Sequence, residues 1–153
     1  MSQDGSPSIP GTKNLWETMS MPLKPYLTLA QADAICAAAR VEAQSSGFDV
    51  TIVVTDDAGN IMRLDRFDGA PLVSLTVAEG KARTSVAMKA TTSDIQKLAV
   101  AIPTIVAIPG VLPFPGGVPL MQDGVLIGAI GVSGVQEHED EQIAIAGARA
   151  LIW

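Results

Sequence analysis

The chain has one cysteine, Cys36, and one histidine, His138, in 153 residues. A lone thiol excludes an intrachain disulfide, and a lone imidazole excludes bis-histidine heme ligation and zinc sites built on several histidines. Aromatic residues make up only 4%, and the ten Lys and Arg residues are scattered against sixteen Asp and Glu, for a net charge of −6. Nucleic-acid binding needs a basic stripe or stacking platforms, and neither is present. No stretch approaches 18 consecutive apolar residues, so no membrane-spanning helix is expected. The first residues lack the basic start and apolar run of a secretory signal, which makes the cytoplasm the expected location.

What the chain does have is apolar residues, at 48%, against 17% charged. That balance suits one globular domain and leaves apolar surface to close against a second copy, so a homo-oligomer is expected. Residues 1–26 read as an N-terminal arm, polar and rich in Pro, Gly and Ser, which Trp16, Met19, Met21 and Tyr26 could tie to a neighbouring surface. Residues 27–153 read as the folded domain.

Thr28-Leu-Ala-Gln31 has the form of a capping box, and Ala32, Ile35, Cys36, Ala39 and Ala43 follow at helical spacing toward a stop at Gly47. Residues 49–56 alternate as a strand, with Val50, Ile52 and Val54 on one face and Thr51, Val53 and Thr55 on the other. The turn formers Asp57-Ala-Gly-Asn60 return the chain as a second strand over 61–66. Asp68-Gly-Ala-Pro71 opens a helix over 72–89, and Thr92-Ser-Asp94 caps a shorter one over 91–100. Residues 102–119, dense in proline and glycine yet apolar, predict a packed loop without regular structure. A second hairpin over 118–132 turns at Asp123-Gly124, and a last helix with an acidic first turn runs over 137–153. The order predicts an α/β domain of the α+β type, with helices packed on a mixed or antiparallel sheet.

Several residues stand out as chemistry. Pro115, Gly116 and Gly117, with Gly131 in the second hairpin, read as a glycine-lined pocket where backbone amides can approach a ligand. Lys81 and Arg83, two apart on a helix, must face different directions. Arg66 with Asp68 reads as an ion pair fixing the turn that follows. Glu139, Asp140 and Glu141 serve the dipole of the last helix. Cys36 falls on an apolar face as a buried, inert thiol, and His138 reads as a solvated residue at a helix start. No metal site is expected.

The segments Val54-Thr-Asp-Asp-Ala-Gly-Asn60, Arg66-Phe-Asp-Gly-Ala70, Lys81-Ala-Arg-Thr84, Phe114-Pro-Gly-Gly-Val-Pro119 and Gly128-Ala-Ile-Gly-Val-Ser-Gly134 resemble the GlcG/HbpS family of heme-binding and heme-degrading-type domains. The resemblance spans about Leu27 to Ile152 and includes Asp140-Glu141 at the head of the last helix. It implies a profilin-like fold, an antiparallel sheet flanked by helices, and assembly into oligomers. It also implies heme as a candidate cofactor. In two places the chain departs from the family: the first helix lacks the histidine associated with ligation in relatives, and Ile143 stands where a cysteine is common. Three readings of function follow. The first is a small-ligand-binding protein with its pocket between the Pro115–Gly117 loop and the first helix, held by Arg66, Arg83, Pro115, Gly116, Gly117 and Gly131. The second is a cofactor-independent lyase or isomerase acting on a small organic acid or aromatic metabolite, with Lys81 and Glu141 as catalytic groups. The third is an accessory subunit of a catabolic operon.

Overall fold

The computed structural model describes residues 22–151. Four helices and four strands among the described residues follow the order that the side-chain pattern predicts. Thr28 caps α1 (Leu29–Ser45): its hydroxyl accepts from the Gln31 amide while the Gln31 side chain accepts from the Thr28 amide, so two orphan donors are satisfied together. β1 (Thr51–Asp56) and β2 (Ile61–Arg66) form a hairpin, closed where the Asp56 carboxylate accepts from the Ala58 and Asn60 amides. α2 (Ser74–Met88) and α3 (Thr92–Ala101) follow, then a short 3-10 turn (Pro103–Ala107) inside the segment read as irregular. Its Pro103 start is compatible with helical φ, and the apolar Ile105 is buried there. β3 (Gly117–Gln122), β4 (Val125–Ser133) and α4 (Glu137–Ala148) complete the domain. α4 gives way to a 3-10 turn at Arg149–Leu151, so the last helix ends earlier than its pattern suggests. The arm residues Trp16, Met19 and Met21 and the final two residues lie outside the described part.

The four strands form one antiparallel sheet in the order β2-β1-β4-β3. β1 and β4 are central and buried on both faces, while β2 and β3 are the edges. Alternation along β1 and β4 divides the core in two. Val50, Ile52, Val54, Ile130 and Val132 pack against α1 and α4 through Ile35, Cys36, Ala39, Ile143 and Ala144. Val53 and Ala129 pack on the opposite face against Ala78 and Ala82 of α2. Small residues on both sides of that second layer bring helix and sheet close together. Thr51 and Ser74 seal one end of it through a buried hydroxyl pair at 2.7 Å. Among the described residues no helix is long and apolar enough to cross a membrane.

Candidate functional site

Lys81 lies on the buried stripe of α2 with Ala78, Ala82 and Ser85 and is 2% exposed. Its ammonium donates to Asp140 Oδ2 at 2.7 Å and to the Val132 carbonyl at 2.9 Å. The Asp140 Oδ1 atom accepts from the Val135 amide at 3.2 Å. One interior ion pair therefore joins α2, the end of β4 and the first turn of α4. Burial pushes the Asp140 carboxyl above the usual carboxylate range, outweighing the downward pull of the Lys81 ammonium. This corrects the expected grouping of Lys81 with Glu141. Glu141 is one residue further along α4 and lines a separate surface cavity with Glu42, His138 and Arg149. Successive helix positions point about 100° apart, so only one of the two acids can reach Lys81.

The glycines expected to border a pocket are filled by protein instead. A Cβ on Gly131 would sit 2.0 Å from the Ala78 carbonyl and 2.7 Å from the Ala82 nitrogen, so its bare backbone is what lets α2 lie against β4. Gly116, at φ +122°, leaves room for the Lys81 ammonium: a Cβ there would be 2.9 Å from Nζ and 2.6 Å from the Val132 carbonyl. Gly117 faces the Lys81 carbonyl, Ser85 and Thr92, and its amide donates to Thr92 Oγ1 at 2.8 Å. Pro115 is buried beside them. In place of a hollow, Gly116 borders the buried Lys81 ammonium, while Gly117 and Gly131 lie against the α2 backbone.

Arg83, two residues from Lys81, points outward as expected from helical geometry. Its guanidinium pairs with Glu79 at 2.8 Å and donates to the Gly59 carbonyl at 3.2 Å. There it forms part of a cavity of about 650 Å³ lined by Asp57, Ala58, Gly59, Asn60, Val86, Ala87, Met88 and the loop Ile108–Val111. Three chain segments meet at this cavity: the β1–β2 turn, the end of α2 and the proline-rich loop. The loop is held there by Thr84, whose hydroxyl accepts from the Leu112 amide at 2.8 Å.

A second, shallower cavity of about 550 Å³ lies on the other side of the sheet between α1 and β2, lined by Arg40, Gln44, Asp49, Leu64, Asp65, Arg66, Phe67 and Asp68. Arg66 and Asp68 both line it, yet no ion pair joins them among the described residues, and both are exposed. The expected pair is replaced by Asp65, whose carboxylate binds Arg40 and approaches Arg63 at 3.5 Å. Burial tends to raise the Asp65 carboxyl, but the Arg40 hydrogen bond prevails and holds it below the usual range. Cys36 lies beneath this pair, and burial together with Asp65 pushes its thiol up to about 12. His138 is exposed, and no cluster of three or more metal-ligating side chains occurs among the described residues.

Asp140 and the 650 Å³ cavity are what sequence reasoning missed. Asp140, Ile143, Ala144 and Gly147 recur at the spacing of a buried stripe, and that pattern marks an interior carboxylate in need of a cation. The cavity has no comparable signal, because its walls come from three distant segments.

A family model described as "Haem degrading protein HbpS-like" matches residues 27–149. Protein GlcG of Escherichia coli strain K12 is 36% identical over 114 residues, covering 74% of this chain and 85% of that protein. The crystal structure of HbpS superposes with a TM-score of 0.81 at 38% identity, covering 86% of this chain and 94% of the other. That of the PduOC:heme complex superposes with a TM-score of 0.77 at 29% identity, covering 84% and 96%.

Proposed function

The chain belongs to the HbpS-like family, and from that premise we propose that it binds heme in the cavity formed by the β1–β2 turn, the end of α2 and the Ile108–Val111 loop. The observation that carries this reading is the composition of that cavity. Its volume of about 650 Å³ falls in the range of small-molecule and cofactor sites, roughly 300–1,000 Å³. Val86, Ala87, Ile108 and Val111 offer an apolar wall for a flat macrocycle, and Arg83 at the edge offers a guanidinium for a carboxylate. Met88 offers a thioether, a ligand type that heme iron accepts. The donor set therefore fits the group without the absent helical histidine. Bound there, heme would supply a redox-active iron, while Arg83 would orient it and the apolar wall would exclude water. The likeness to a solved heme complex supports the same reading.

A base-catalysed lyase or isomerase reading is weakened by burial, because Lys81 is 2% exposed and already bound to Asp140. The exposed Ile61 and Leu64 of edge strand β2 support assembly with a second copy, for which light scattering at several concentrations is the measurement.

Titration with hemin tests the proposal. A Soret band that saturates at one equivalent and co-elutes with the protein is expected, weakened by Arg83→Ala and by Met88→Ala. Iron-free protoporphyrin should bind the parent and Met88→Ala alike. A spectrum that stays that of free hemin, or binding indifferent to both substitutions, would refute the assignment.

A further inference from the structure

We infer that Pro22–Tyr26 is a strap that closes over the mouth of this cavity and adds Leu23 and Tyr26 to the bound ligand's surroundings; the inference rests on the heme-site reading. Leu27 is 3% exposed, with its side chain against Gly128 on the α1 face of the sheet, so the strap has a fixed root. Three residues earlier, a distance of at most roughly 10 Å of extended chain, Lys24 contacts the Asp57 carboxylate. Asp57 lines the cavity. The segment thus leads from the α1 face round the end of the sheet to the cavity's lip.

Tyr26, between root and lip, and Leu23, one residue beyond the Lys24 contact, are large apolar side chains held in water. Leu23 is 99% exposed and Tyr26 is 72% exposed. Chain that is held at Leu27 and at Lys24 and keeps its apolar groups outward has a surface ready to cover something planar and apolar. The pin itself is releasable. Lys24 and Asp57 are both solvent-accessible, and exposed pairs of this kind hold weakly and are screened by salt. Opening for ligand entry is therefore easy, and closing gains the contacts of a tyrosine ring on a macrocycle.

Tyr26 is the sole tyrosine of the chain, so incorporation of 3-fluorotyrosine gives one fluorine resonance that reports the strap directly. In the full-length protein, added hemin is expected to broaden and shift that resonance. Lys24→Ala and Tyr26→Leu should each weaken hemin binding about three- to tenfold while leaving the circular dichroism spectrum unchanged, and raised salt should weaken the parent more steeply than Lys24→Ala, which keeps only the salt dependence of Arg83. A Soret band with an unmoved fluorine line, or unchanged affinity in both variants, overturns the strap and leaves the heme site standing. No Soret band at all overturns both.

Discussion

Replacing Lys81 by Met keeps most of the side-chain volume but removes the ammonium that Asp140 Oδ2 accepts from at 2.7 Å. Asp140 is then a carboxylate with one remaining protein donor, the Val135 amide, in a position only 3% exposed. Removing one partner of a buried pair costs about 3–5 kcal/mol, because the other is left charged and desolvated. For a domain of this size that lowers Tm by about 10–15 °C. The reverse single change, Asp140→Leu, strands the ammonium on the Val132 carbonyl alone and should cost a similar amount. The double variant Lys81→Met with Asp140→Leu leaves no stranded charge. It forfeits only the hydrogen bonds to Val132 and Val135, so it should fall within about 2 kcal/mol of the parent. The deficit of Lys81→Met also carries a pH signature. The Asp140 carboxyl is already raised by burial, and loss of Lys81 raises it further. A raised folded-state value contributes stability below the ordinary carboxylate range and loses it as pH climbs through the raised value. The deficit should therefore be larger at pH 7 than at pH 5. Urea unfolding of all four proteins at both pH values measures the cycle. Additive single effects, or a single-variant cost below about 1 kcal/mol, would mean that the pair behaves as a solvated surface contact and not as an interior anchor.

Three further outcomes follow from the packing. Gly131→Ala should destabilise by about 3 kcal/mol or more, because its Cβ would fall 2.0 Å from the Ala78 backbone carbonyl; a Tm within a degree or two of the parent would show that α2 can move away freely. Cys36, with its thiol pushed up to about 12, should stay unreactive toward a thiol-specific reagent at pH 8 until the protein is unfolded, and rapid labelling of the native state would contradict its burial. The Asp65 carboxyl is held below the usual range, so its contribution is present above that range and lost as pH falls. Asp65→Asn should accordingly flatten the acid limb of the stability curve, and an unaltered limb would remove Arg40 as the cause.

Local chemistry alone settled the elements. A capping box at Thr28, turn formers at 57–60, and strict alternation over Val50–Thr55 each satisfy backbone groups within a few residues, so their outcome is readable in order along the chain. The family motifs were equally visible, because they are runs of adjacent residues. Partnership was not. Lys81 and Asp140 are 59 positions apart, and which acid of the run 139–141 meets the ammonium depends on how α2 and α4 are set against the sheet. The same holds for Gly116, Gly117 and Gly131, where a bare backbone admits either a ligand or a helix, and only the close approach of α2 decided for the helix. The cavity beside Arg83 comes from a turn, a helix end and a loop that share no local pattern, and so it exists only once the tertiary structure has brought them together.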